Sequence, residues 1–359
     1  MLTGLFGGAF DPFHKEHKRL AESAWRELNL DRILIIPSVN PPHKSPPEAD
    51  FADRAAIIAK ECANLPYVEV SEIEKENKQG YTYLTLKMLA TLYPQDKFVF
   101  IIGADSLLQF EEWERPGEIA AQCSLAVAGR EGYPLPLDAM ERVAQKYNTQ
   151  VIPLSYTGKE ISSTGLRASI ELGVDTGDVL GKVTLEYIAK KGLYRKHKKL
   201  VDYVSSKLSA ERLGHTQRTV LFALELNTQV KLPFDTVFIA ALLHDAAKEN
   251  GAHDPLSHQY EGERLAKELG IEDKSILEAI KYHATAHAGI DALGKIIYLA
   301  DKLEAGRDYA CAHTFRELAL KDFATAFGKV LEHNIDYLIG SGIVPDANSL
   351  ACLEKLRRK

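Results

Sequence analysis

The sequence predicts an α/β domain built on a doubly wound parallel sheet, followed by an all-α domain. Three observations carry this reading. Up to about residue 195, short β-branched apolar runs alternate with stretches whose apolar residues recur at helical spacing. Beyond that point no strand alternation remains and the chain reads as helix throughout. The first apolar run ends in Gly7-Gly8 and leads into a helix-forming stretch, as the first turn of a parallel α/β unit does.

Length supports the division, since 359 residues are enough for two separate cores. A hydrophobic content of 45% with 26% charged residues belongs to a globular chain, and a net charge of −6 argues against a general nucleic-acid binder. Cys62, Cys123, Cys311 and Cys352 are widely spaced and form no CxxC pair, which predicts reduced thiols in a cytoplasmic protein. The N-terminus lacks the basic and long apolar regions of a signal peptide, and no apolar run approaches membrane-spanning length.

Residues 5–17 organise the first half. Gly7 and Gly8 lack a Cβ, so backbone amides there can approach an anion closely. Asp11-Pro12 favours a helix start, with Asp as cap and Pro in the first turn. His14 and His17, three apart, share one face of that first turn. Two imidazoles beside glycine amides at the positive end of a helix dipole predict a polyphosphate site.

Residues 20–30 continue the helix, with Ala21, Ala24, Trp25 and Leu28 at helical spacing. Residues 32–37 read as a strand buried on both faces, and 40–47 as a proline-rich loop holding His43 and Lys44. Helix is predicted over 53–62 and 83–93, and strand over 68–73, 98–102, 125–128 and 150–153. In such sheets ligands sit at the carboxyl ends of strands. The glycine turn, residues 37–44 and Gly103-Ala104-Asp105 each follow a strand. Ser162, Ser163 and Thr164 cap a further helix start, with Arg167 on its first turn placed to neutralise phosphate oxygens.

Residues 190–199 are basic and carry the junction. Helices are predicted over 203–208, 219–226, 234–243, 262–269, 275–282 and 293–303, with more helix to 338. Six side chains with metal-ligand chemistry are strung along them: His215, His244, Asp245, His258, His283 and Asp301. A lone histidine on such a helix is most often a core or surface residue. However, His244-Asp245 closes a very apolar helix, where an unpaired carboxylate is costly and a metal removes that cost. Asp301 ends a similar run. Histidine and carboxylate without cysteine suit iron, manganese, zinc or cobalt. His253-Asp254 is a second pair, but Pro255 follows and no apolar helix precedes it, so it reads as a decoy.

The first string resembles the GGxFDPxHxGH signature of nucleotidyltransferases, in particular the nicotinate-nucleotide adenylyltransferases, with Glu16 where the family has Gly. Residues 161–167 are similar to its ISSTxIR motif, and Pro42-His43-Lys44 to its PPHK loop. Residues 103–105 match its GAD turn, and Trp113 takes the place of a Trp that stacks on the nicotinate ring. Residues 80–85 are similar to SYTxDT, with Gly80 for Ser and Leu84 for Asp, and 187–194 to the closing segment. The resemblance covers residues 1–195 and implies a Rossmann-like nucleotidyltransferase domain. With Mg²⁺, such a domain transfers AMP from ATP to nicotinate mononucleotide, giving deamido-NAD and pyrophosphate. Nicotinamide mononucleotide or another acceptor is the alternative. The resemblance makes His14, His17, Lys44 and Arg167 the catalytic set. The binding set is Gly7, Gly8, Phe10, Asp11, His43, Thr82, Thr85, Gly103, Asp105, Trp113, Arg130, Ser162, Ser163 and Thr164. The acceptor phosphate has a second pKa of roughly 6, so it needs alignment and charge neutralisation rather than a strong base.

The pattern His215, His244-Asp245, Asp301 resembles the HD phosphohydrolases. With His258 and His283 it resembles the YqeK-type subgroup, symmetrical diadenosine tetraphosphate (Ap4A) hydrolases, over residues 198–345. This implies an HD domain over 196–359 with two transition-metal ions, iron first and Mn, Co or Zn as alternatives, bridged by Asp245. A hydroxide shared by the metals would attack a central phosphorus to give two ADP, with Lys248 and Arg307 holding the polyphosphate. A metal-dependent nucleotide sensor or dimerisation module is the alternative. Ala286-His287 replace the commoner Gly-Arg. The expected partners are ATP, nicotinate mononucleotide and Ap4A, with no nucleic acid or membrane; a homodimer is left open.

Overall fold

The computed structural model describes residues 1–39, 46–77, 79–132, 134–248 and 256–358. The chain forms two compact units, Met1–Ser163 with Asp175–Tyr194, and Thr164–Val174 with Arg195–Lys359. The division therefore differs from one boundary near 195, because residues 164–174 are counted with the second unit.

In the first unit the elements run β1 (Leu2–Gly8), α1 (Lys15–Glu27), β2 (Arg32–Pro37), α2 (Phe51–Glu61), β3 (Val68–Val70), α3 (Thr82–Leu92), β4 (Lys97–Gly103), α4 (Ala104–Leu108), α5 (Pro116–Gln122), β5 (Cys123–Arg130), α6 (Leu137–Tyr147) and β6 (Val151–Gly158). All strand pairs are parallel, in the order β3-β2-β1-β4-β5-β6. Leu5 and the 33–36 run of β2 are buried, as expected of strands covered on both faces by helices. Leu34, Phe100, Leu125 and Val127 share one core with Leu86 and Leu89 of α3 and Val143 of α6. The order reverses between β1 and β4, and ligand crevices of such sheets open at that reversal. The glycine turn after β1 and the Gly103 turn after β4 both lie there.

Two sequence expectations are corrected. The first helix begins at Lys15 rather than at Asp11-Pro12, with His14 as its N-cap. Asp11 instead accepts hydrogen bonds from the Glu48 and Ala49 amides at 2.8 and 3.2 Å and from the Tyr194 hydroxyl at 2.8 Å. The expected strand to residue 73 stops at Val70. The Ser71 amide makes a last bond to the Ile35 carbonyl, and the chain then turns into a short 3₁₀ segment, Ile73–Lys75.

α7 (Ser163–Glu171) opens at the boundary of the units, and α8 (Lys182–Lys191) returns to the first. The second unit continues with α9 (Lys198–Lys207), α10 (Ala210–Val230), α11 (Phe234–Leu243), α12 (Ser257–Glu268), α13 (Lys274–Lys281), α14 (Ala292–Leu303), α15 (Ala312–Lys321), α16 (Phe323–Gly340) and α17 (Ala347–Arg357). Its described residues contain no strand. Ser209, Asp273 and Asp291 cap α10, α13 and α14 through their side chains. α11 and α14 are apolar over most of their surface and form the centre of the core, and α7 contributes Ala168 to it, with Leu172 just beyond its end. His197 holds α7 in place, with Nδ1 3.2 Å from Glu171 Oε1 and Nε2 3.2 Å from Asp235 Oδ1 on α11. Among the described residues, no helix is long and apolar enough to cross a membrane.

Candidate functional sites

At the end of β1 the chain turns through Gly8, where a Cβ would lie 3.0 Å from the Phe10 ring. Phe10 itself has φ +49° and is buried against Phe6, Phe13 and His17. Its side chain thus supports His17 from inside the fold. His14 and His17 form a reciprocal cap: the His14 amide donates to His17 Nδ1 at 3.2 Å, and the His17 amide to His14 Nδ1 at 3.3 Å. Their rings stack 3.5 Å apart at 16°. Because each Nδ1 accepts, each neutral ring carries its proton on Nε2. Burial pushes His14 down to about 4, with Arg130 lowering it further and Glu16 raising it. Burial and the His14 charge hold His17 well below its ordinary value. The pair therefore offers two N–H donors, not two cations, at neutral pH.

Glu16, between them, is buried and faces away from the pair's partners: it accepts from the Tyr156 hydroxyl at 2.6 Å and the Lys159 amide at 2.9 Å, and also pairs with Arg19. Burial alone would raise its pKa; these hydrogen bonds hold it below the usual range. At the ends of the neighbouring strands β4, β5 and β6, Arg130 lies 3.8 Å from Asp105 and 3.7 Å from Glu160. Gly103 leads into α4, and Trp113 packs half-buried on Phe100 and Phe110. Thr82 opens α3, whereas Thr85 is buried and bonded to Glu74 and Asn77. Ser163 begins α7, and Arg167 Nη2 lies 3.4 Å from Thr164 Oγ1 within the second unit. His43 and Lys44 lie outside the described residues.

Sequence reasoning missed Arg54. Its guanidinium, on α2, is 2% exposed and donates to the Ala9 and Ala49 carbonyls at 2.5 and 3.1 Å. Burial lowers its pKa, and Asp11 offsets that. It ties the turn carrying Phe10 to the segment at Ala49.

In the second unit, His215 of α10, His244 and Asp245 after α11, His258 of α12, His283 after α13 and Asp301 of α14 come from five helices to one place. All but His215 are buried. Two groups of three have ligand atoms within 4.8 Å of one another: His215, His244, Asp245, and Asp245, His258, His283. Asp245 belongs to both. Asp301 Oδ1 stands 3.1 Å from His215 Nε2 and so extends the first group.

The hydrogen bonding fits metal ions. His244 and His283 engage the Ala241 and Ile280 carbonyls through Nδ1 at 2.6 and 2.7 Å, which leaves a lone pair at Nε2 of each neutral ring. These nitrogens face other imidazole nitrogens: His244 faces His215 at 3.4 Å, and His283 faces His258 at 3.2 Å. An Nε2 lone pair of this kind accepts either an N–H from the facing ring or a metal ion, so His244 and His283 are suited to ligation. Asp245 Oδ1 is buried without a directed hydrogen bond, although His283 and His258 lie 3.2 and 3.5 Å away. Burial lowers His244 to about 4, which keeps it neutral for ligation. Burial would raise the Asp245 and Asp301 carboxyls; neighbouring His244 and Lys302, respectively, hold them below the ordinary range.

Around this centre, Glu304 accepts from Arg218 and lies 3.1 Å from His215 Nδ1, fixing that ring. Arg218 lies three residues from His215 on one helix face, a spacing that could have revealed it. Lys248 and Arg307 stand 2.9 and 2.8 Å from Asp245 and Asp301, and Lys302 is 2.6 Å from Asp301. Lys302 was not anticipated. Ala286 adopts φ +62°, a backbone that Gly takes readily. His287 stacks on Tyr282, 4.3 Å between centroids. His253-Asp254 lies outside the described residues.

A cytidylyltransferase-like family model matches residues 5–169, and an HD-domain model matches residues 212–306. Fold and sites thus define a nucleotidyltransferase followed by an HD domain, a class that binds divalent metal. A relative from Shewanella sp. (strain MR-4), named "Probable nicotinate-nucleotide adenylyltransferase", is 33% identical over 210 residues, covering 54% of this chain and 99% of that protein. The chain belongs to the nicotinate-nucleotide adenylyltransferase family through this half. A Mycoplasma genitalium protein named "Probable nicotinate-nucleotide adenylyltransferase/Ap4A hydrolase" is 26% identical over 324 residues, 84% of this chain and 87% of that one. The crystal structure of a Clostridium acetobutylicum protein described as a "predicted HD superfamily hydrolase involved in NAD metabolism" is 26% identical, with a TM-score of 0.42, over 46% of this chain and 98% of that one.

Proposed function

We propose that the chain is bifunctional. Its first half transfers AMP from ATP to nicotinate mononucleotide, forming deamido-NAD and pyrophosphate. Its second half hydrolyses Ap4A to two ADP. For the transfer, the reciprocal His14–His17 cap at the sheet reversal is the main support. Its two Nε2–H groups and the Gly7-Gly8 turn suit hydrogen bonding to the triphosphate, while the acceptor phosphate attacks the α-phosphorus in line. Mg²⁺ bound with ATP would supply charge neutralisation for the leaving pyrophosphate. Arg167 and Lys44 are assigned to the same task by their motifs.

For the hydrolysis, the shared position of Asp245 in two ligand groups is the main support. His215, His244 and Asp301 would hold one metal, His258 and His283 the other, with Asp245 bridging. Metals held there supply Lewis acidity at phosphate oxygens and lower the pKa of water. Lys248, Arg307 and Lys302, now paired with Asp245 and Asp301, are the cations beside the centre that would meet the polyphosphate.

The full chain with Mg²⁺, ATP and either nicotinate or nicotinamide mononucleotide should yield deamido-NAD in excess over NAD by mass analysis. No dinucleotide from either would overturn the first assignment. Loaded with Fe²⁺ or Mn²⁺, it should convert Ap4A to ADP alone. ATP with AMP as products, or no turnover, would overturn the second.

A further inference from the structure

Glu16 carries a negative charge into the first turn of α1, between the two histidines. It is 8% exposed, and both its oxygens are engaged. Oε2 accepts from the Tyr156 hydroxyl and the Lys159 amide, and Oε1 pairs with Arg19. Tyr156 and Lys159 stand at the carboxyl end of β6, from which the chain runs through Glu160 to Ser162 and Ser163. The same segment is tied on its other side to the end of β5. The Glu131 amide donates to the Gly158 carbonyl at 2.8 Å, and Arg130 lies 3.7 Å from Glu160. A Cβ at Gly158 would lie 3.6 Å from Glu16 Oε2 and 3.2 Å from the Tyr156 ring. Residues 156–160 are therefore clamped between α1 and β5.

We propose that Glu16 is a positioning residue of the adenylyltransferase site: its carboxylate fixes the 156–160 segment, and with it the start of the Ser162-Ser163 motif, relative to His14 and His17. This rests on the transferase reading above. The carboxylate repels no phosphate because Arg19, Tyr156 and a backbone amide already engage it. ATP, whose phosphates are bound by the two motifs that Glu16 connects, should feel its loss more than the acceptor does.

The test compares wild type, Glu16→Gln and Glu16→Ala in the full chain, with KM for ATP, KM for nicotinate mononucleotide and kcat measured separately. Loss of a charged acceptor from one amide and one hydroxyl corresponds to about a five- to tenfold change. Glu16→Ala should raise KM for ATP by about that factor, leaving KM for the acceptor unchanged. Glu16→Gln, whose carbonyl oxygen still accepts from Lys159, should recover most of the loss. Tighter ATP binding in either variant would overturn the proposal, since the carboxylate would then act by repulsion. An equal change in both KM values, or none, would also overturn it. If Glu16→Ala does not fold, Tyr156→Phe, which removes one of the two donors to Oε2, takes its place: it should raise KM for ATP and not for the acceptor, and no change would overturn the proposal. A wild-type chain that makes no dinucleotide would instead refute the transferase reading itself.

Discussion

At the scale of single residues, His14 sets a measurable sign. Its pKa falls from 6.5 to about 4 on folding. Between those values the unfolded chain holds more proton than the folded one, so stability rises with pH across the window. The contribution of His14 is complete above 6.5 and is lost as the pH falls toward 4. Histidine-selective NMR titration should give His14 a midpoint near 4. His14→Gln should flatten the pH dependence of unfolding in that window, and an unperturbed midpoint would mean the ring is hydrated. The sequence made His14 and His17 visible through their spacing, but not their charge state: neutrality depends on burial, of His17 against Phe10 and Phe13 and of His14 against His17, which no local pattern encodes. The candidate metal ligands could be picked out because a buried carboxylate at the end of a very apolar helix is costly unless something compensates its charge. Lys302 and Arg218 were not, because a charged residue beside a ligand resembles any solvated surface residue.

At the scale of elements, the strands were legible where their runs were short and β-branched, and β2 occupies residues 32–37 as expected. α4, α5 and α6 were not singled out. α4 spans only five residues and α5 seven, too short for a 3.6-residue period to stand out. The start of α1 was misplaced because Asp11-Pro12 carries a strong local cap signal, while the Asp11 carboxylate is drawn off by amides 37 and 38 residues away. α2 owes part of its position to Arg54. Arg54→Met keeps the buried volume but strips the Ala9 and Ala49 carbonyls of their donors and leaves Asp11 without its neighbouring charge. Denaturant unfolding should show a loss of about 2–3 kcal/mol, the usual worth of charged hydrogen bonds. A loss below about 0.5 kcal/mol would mean that α2 is held by apolar contacts alone.

At the scale of the whole molecule, the two proposed activities should separate by their metals. Exhaustive chelation followed by Mg²⁺ should restore deamido-NAD formation and leave Ap4A untouched. Subsequent Fe²⁺ or Mn²⁺ should restore its cleavage, because nitrogen ligands prefer transition metals to Mg²⁺. Recovery of both activities on Mg²⁺ alone would contradict the His-rich centre. The composition of the second unit bears on how the gene product can be divided. Ala168 of α7 and Leu172 just after it, both preceding residue 175, are buried in the core of the unit that resumes at Arg195. No single scission of the polypeptide yields both units whole. A break after Tyr194 deprives the C-terminal fragment of two core side chains and strands them on the N-terminal one, and a break before Thr164 removes 175–194 from the fragment they belong to. The join is interleaved: each unit is assembled from two separate stretches of the polypeptide, so a cut at either boundary divides one of them.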